Sequence, residues 1–146
     1  MDDPWAFGCA LWARPGVEEG LLRLQNEHGL SVALLILLCW RGDFDPRQLP
    51  RAAKLAGRYE RLWIEPLRRR RRAAEGEARA ACLAAELAAE RRLLEGLARR
   101  FGAAGEEPGA ALKAYLAAGG AEALAPFLQE AAAAVRAGAP DTSPLR

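Results

Sequence analysis

Arg47, Arg51, Lys54, Arg58, Arg61, Arg68 and Arg72 recur in alternating steps of four and three, with Glu65 the one interruption. On an α-helix that spacing gathers them on one face. Arg69, Arg70 and Arg71 thicken the C-terminal end of the row. A straight helix would carry it for roughly 35–40 Å at about 1.5 Å per residue. That is long enough to follow a nucleic-acid backbone or to meet an acidic protein surface. A competing explanation is purely structural, since any amphipathic helix needs a charged outer face. Binding of single-stranded nucleic acid would call for exposed aromatics among the cations. Tyr59 and Trp63 are expected to face the other way, in an inner stripe with Leu55, Leu62 and Leu67.

Other chemistry-bearing residues are sparse. His28 is the only histidine, and it closes a helical pattern, where a cation suits the negative end of the dipole. Glu86 and Glu90 are four apart on one predicted face. Carboxylate metal sites in helical bundles pair Glu with a Glu-x-x-His pattern, and no such histidine exists here. Ion pairing with neighbouring arginines is the expected role. In Asp43-Phe44-Asp45, Asp45 is expected to cap a helix and Asp43 to shape a turn. Ser31, Thr142 and Ser143 are the only hydroxyl residues besides tyrosine. Ser31 is placed as a helix cap, which leaves a serine nucleophile without support. No phosphate-binding glycine loop follows a strand, so no nucleotide chemistry is implied. The sequence thus assigns no catalytic residue, no metal ligand and no cofactor, and it leans away from an enzyme. One small-ligand or enzyme reading stays open: a pocket between the second, third and fifth predicted helices, near Gln25, His28 and Glu90.

The elements that must position these residues are helical throughout. Asp3-Pro4 starts a helix to Trp12, with Pro15-Gly16 as its break. A second runs from Val17 to His28, and Gly29 stands at its C′ position. Ser31 caps a third, about 32–41, which is apolar on every side and is therefore the central buried element. The fourth is long, about 50–74, with Pro66 expected to bend it. Glu75-Gly76 separates it from a fifth, about 77–101, on which Leu83, Leu87, Leu94, Leu97 and Phe101 keep a heptad-like rhythm. A short helix near 110–116 and a last one near 121–136 follow, joined at Gly119-Gly120. No strand alternation is present. The expectation is an all-α, compact single-domain helical bundle of five to seven helices over residues 1–137, followed by a disordered tail, 138–146.

The chain has 146 residues, 51% of them hydrophobic, and a net charge of +2. That small net charge conceals an asymmetry: residues 46–72 carry ten basic groups against two acids. Cys9, Cys39 and Cys82 are odd in number and widely spaced, so buried free thiols are expected rather than disulfides or zinc. The acidic N-terminus is unlike a signal peptide, and the most apolar run, Val32 to Trp40, is far short of the ~20 residues of a membrane span. A cytoplasmic location with no membrane contact is expected.

Trp5-Ala6-Phe7, Pro15-Gly16-Val17, Leu24-Gln25, His28-Gly29 and the run Val32 to Trp40 resemble a family of short bacterial proteins of unknown function. Trp63, Pro66-Leu67-Arg68, Arg71 and Glu86-Leu87 through Glu90-Arg91 extend the resemblance over about 1–95. Family members often carry Asp-Val-Asn where this chain has Ser31-Val32-Ala33. The resemblance implies a helical cytoplasmic protein and brings no activity with it. On the residues themselves, the first expectation is a non-enzymatic interaction or regulatory protein docking an acidic partner through the Arg47–Arg72 face. Nucleic-acid binding by the same face is the alternative, and the pocket reading is the second alternative.

Overall fold

The computed structural model describes residues 3–138. The expected tail beyond Gly138, with Thr142 and Ser143, lies outside the described residues, as do Met1 and Asp2. The order is α1 (Pro4–Trp12), α2 (Val17–His28), α3 (Val32–Trp40), a 3-10 turn (Pro46–Gln48), α4 (Leu49–Tyr59), a π-helical stretch (Glu60–Ile64), α5 (Glu65–Ala73), α6 (Gly76–Arg100), α7 (Ala110–Ala118), a second 3-10 turn (Glu122–Leu124) and α8 (Ala125–Arg136). The fold is all-α. An isolated bridge, Phe44 to Ala104, ties the α3–α4 loop to the loop after α6.

The predicted boundaries rest on caps that form as expected. Asp3 accepts the Trp5 N–H at 3.0 Å, and Asp45 accepts the Arg47 N–H at 3.0 Å. Gly29 closes α2 at φ 67°, a left-handed conformation that costs glycine nothing. Ser31 Oγ accepts the Leu34 N–H at 3.2 Å and opens α3. That helix is the hub of the molecule, buried from Ala33 to Cys39, with α1, α2, α4, α6, α7 and α8 all packed on it. Its last turn is tied down by α8, where Arg136 Nη1 donates to the Cys39 carbonyl at 2.6 Å. At the crossing of α1 and α3, Gly8 permits close approach: a Cβ there would stand 3.1 Å from Ile36 Cγ2.

α4, the π-helical stretch and α5 form one continuous helical run, and here the structure departs from the predicted stripe. The disruption expected at Pro66 is realised as a widened turn directly ahead of it, in which the Glu65 N–H reaches back five residues to the Glu60 carbonyl. Proline lacks an N–H and crowds the preceding turn, and a π turn relieves both. The extra residue rotates everything downstream by about 100° relative to a regular helix. The inward line becomes Ala52, Ala56, Glu60, Ile64 and Arg68, in steps of four. Leu62 and Trp63, expected inside, are 58% and 62% exposed, while Ile64 is buried in their place.

A second correction concerns α6. Leu94, Leu97 and Phe101 are buried as the heptad reading expects, but Leu83 and Leu87 are exposed. The N-terminal half of α6 pairs with α5 as the arm of a hairpin, and its inward position is taken by Glu86, which is 5% exposed. The thiols also differ from expectation: all three are free, but only Cys39 is buried, Cys82 is half-buried and Cys9 is exposed.

Candidate functional site

Two regions gather the charged residues, and the π turn decides which residue goes where. On the outer face of α4 and the π-helical stretch that continues it, Arg51, Lys54, Arg58 and Arg61 are exposed and make no ion pair among the described residues. Leu62 and Trp63 stand exposed directly after them. Arg72 is exposed at the far end of α5. Arg47, at the start of the row, is held by Asp45 at 2.8 Å, and their bonding lowers the Asp45 carboxyl below its ordinary value.

Arg68 does not continue the outer row. The register shift turns it inward, where only 11% of its side chain is exposed. There it donates from Nε to Glu86 at 3.3 Å and from Nη2 to Glu90 at 3.3 Å. Arg71 joins it, forking onto Glu86 through Nε at 2.6 Å and Nη2 at 3.4 Å. Paired donors of this kind match a carboxylate in geometry as well as charge. The ion pairing expected for Glu86 and Glu90 is thus made across the α5–α6 hairpin.

The third carboxylate of this cluster is Glu60, from the π-helical stretch. Ser31 Oγ donates to its Oε1 at 2.5 Å. The Ser31 N–H in turn donates to the Tyr115 hydroxyl at 2.8 Å, which brings α7 into the network. Burial pushes the Glu60 carboxyl above its ordinary value, against the Ser31 bond and the Arg68 charge. Burial likewise raises Glu90, against Arg68. Burial raises the Tyr115 hydroxyl too. With Glu60, Glu86 and Glu90 against Arg68 and Arg71, the cluster holds one carboxylate in excess of its guanidinium groups.

A small cavity of about 40 Å³ opens beside Glu60, Arg68 and Glu90, against Trp5, Val32 and Ile36. It adjoins an apolar groove of about 290 Å³ with which it shares Trp5, Val32, Ile36 and Glu90. α1 supplies Trp5, Cys9 and Trp12 to that groove, with buried Gly8 between them, and α6 supplies Leu87. Glu90 is the charged residue in its wall.

Of the residues expected to share a pocket, Glu90 alone lines this groove and cavity. His28 Nδ1 donates to the Gly119 carbonyl at 2.8 Å, pinning the end of α2 to the turn between α7 and α8. Gln25 is half-buried one turn earlier on α2 and lines neither space. Glu60 carried no signal in an α-periodic reading, because steps of four repeated from Ala52 to Arg68 drift off one face of a regular helix by about 40° each. Among the described residues, no group of three or more His, Cys, Asp or Glu is placed to hold a metal ion.

These features define an all-α protein with a buried ionic cluster, an apolar groove beside it and a separate cationic helix face. Over residues 3–97 the sequence matches the family described as Protein of unknown function (DUF2390), and the chain belongs to that family. The matched span holds both charged regions and every residue of the groove. No curated protein and no solved structure matches the chain. Among the described residues, no helix is long and apolar enough to cross a membrane.

Proposed function

We infer that this is a non-enzymatic cytoplasmic docking protein that engages an acidic protein surface through the outer face of α4. The observation that carries the reading is the π turn, which leaves Leu62 and Trp63 exposed in the same helical run as Arg51, Lys54, Arg58 and Arg61, cations with no ion pair among the described residues. Tryptophan and arginine are the residues most enriched where binding energy concentrates in interfaces. A row of cations steers an acidic partner and fixes its register, while the indole supplies the apolar burial that holds it. Arg68 and Arg71 play no part in this surface, because they hold the α5–α6 hairpin together.

Partner capture by the immobilised chain tests the reading, with captured proteins identified by mass spectrometry. An acidic protein held by the wild type should be lost from an Arg58→Glu/Arg61→Glu variant and from Trp63→Ala. Equal capture by all three would rule out this face.

Nucleic-acid binding by the same face is a second reading. Trp63, 62% exposed, offers a stacking platform of the kind single-strand binders use. That reading requires affinity to fall steeply between low and moderate salt, as phosphate neutralisation releases counterions. Salt-independent affinity would exclude it.

A further inference from the structure

We propose that the groove between α1, α3 and α6 is a binding site for an apolar molecule with a cationic ammonium head, its body lying along Trp5, Trp12 and Leu87 and its head at Glu90 and Glu60. The site is separate from the α4 face and independent of the docking reading.

Shape comes first. A volume of about 290 Å³ stands at the lower edge of ligand-sized pockets, which run from roughly 300 Å³ upward. Its walls are indole, aliphatic and thiol groups, with a single charged residue, and that residue is a carboxylate. The adjoining cavity of about 40 Å³ exceeds the roughly 10–15 Å³ that one water requires, so it has room for a small polar head.

Charge decides what kind of head. Arg71 is committed to Glu86, and Arg68 is divided between Glu86 and Glu90. Glu60 has a hydroxyl partner in Ser31 but, among the described residues, no guanidinium within ion-pair distance. A carboxylate-headed ligand would meet this excess negative charge with both guanidinium groups of the cluster already committed. An ammonium head would supply the missing positive charge beside Trp5, whose ring already holds the Arg91 guanidinium 5.9 Å from its centroid. The raised carboxyls of Glu60 and Glu90 fit such a site, because a bound cation favours their ionised forms. Glu60 is also faced by Arg68, Glu65, Glu90, Ser31 and Tyr115. Around it, Arg68 and Arg71 already face the carboxylates Glu65, Glu86 and Glu90, so the negative excess does not rest on Glu60 alone.

Cys9 provides the readout. It lines the groove and is exposed, whereas Cys39 is buried with its thiol pushed up to about 12 and is therefore unreactive. In a Cys82→Ser background, alkylation then reports on Cys9. The probes are octylammonium, octanol and octanoate, one chain with a cationic, a neutral and an anionic head. Octylammonium should protect Cys9 at about tenfold lower concentration than octanol, as a charge-assisted hydrogen bond in the head site implies. Octanoate should protect least. Glu90→Gln should remove the advantage of octylammonium over octanol while both still bind. If that variant fails to fold, Leu87→Trp, which fills the groove from an exposed position, should abolish protection by octylammonium. Octanoate or octanol protecting as well as octylammonium, or octylammonium giving no protection, would overturn the proposal.

Discussion

The Ser31 hydroxyl accepts the Leu34 N–H at 3.2 Å and donates to Glu60 at 2.5 Å, so one side chain both opens the central helix and holds the π turn against it. Ser31 is 4% exposed and the Leu34 it caps is fully buried, so the Leu34 N–H has no ready access to water as a substitute. Ser31→Ala should therefore cost about 2 kcal/mol, a helix cap and a buried hydrogen bond together. Urea unfolding measures it. A loss below about 0.5 kcal/mol would place Ser31 among ordinary surface substitutions and refute its double role.

Glu60 sets a pH dependence of definite sign. Burial raises its carboxyl in the folded chain above the value of 4.5 taken as ordinary, so the folded state binds that proton more tightly than the unfolded state does. Its contribution to stability is present below the ordinary value and is lost as pH rises through the raised one. Glu60→Gln keeps an oxygen for the Ser31 bond and does not titrate. Wild type should therefore lose stability relative to Glu60→Gln between about pH 5 and about pH 7. Urea midpoints of both proteins at the two pH values test this, and a constant difference would contradict it.

Arg71 and Arg61 look interchangeable in the sequence, yet they should behave differently. Arg71 forks onto buried Glu86, and removing it leaves that carboxylate with Arg68 alone. Arg71→Ala should cost about 2 kcal/mol, below the range for a fully buried pair because a quarter of the Arg71 side chain meets solvent. Arg61→Ala should stay within about 0.5 kcal/mol. Hydrogen exchange should show α5 opening first in Arg71→Ala. Equal losses in the two variants would show that the π turn does not divide the arginines.

Trp63 gives the same division in apolar form. A buried tryptophan changed to alanine costs about 3–5 kcal/mol. At 62% exposure, Trp63→Ala should cost under about 1 kcal/mol. Its fluorescence contribution should be the part most open to an aqueous quencher. A large loss of stability would return Trp63 to the core.

Local chemistry was legible wherever one residue decides one turn. Asp3, Gly29, Ser31 and Asp45 mark their helix ends by side chain or by glycine, and α3 announces burial by being apolar all round. What could not be read was a change of helical period. An α-periodic reading joins Arg61 to Arg68 and buries Trp63, and both errors come from the one residue added before Pro66. Leu83 and Leu87 fit a heptad, but that part of α6 pairs with an arginine-rich arm, and carboxylates are what satisfy such an arm. The groove was hidden for a different reason. Its walls come from α1, α3 and α6, which are far apart in sequence. His28 attracted notice as the only histidine, and rarity carries no geometry.

Capture from native lysate after nuclease treatment, comparing wild type with Arg58→Glu/Arg61→Glu and Arg58→Lys/Arg61→Lys, tests most directly that the outer face of α4 docks an acidic partner. The account predicts an acidic protein retained by the wild type and by the lysine variant, and released by the glutamate variant, with all three melting alike. The same proteins retained by the glutamate variant, or loss of all capture once nucleic acid is removed, would contradict it.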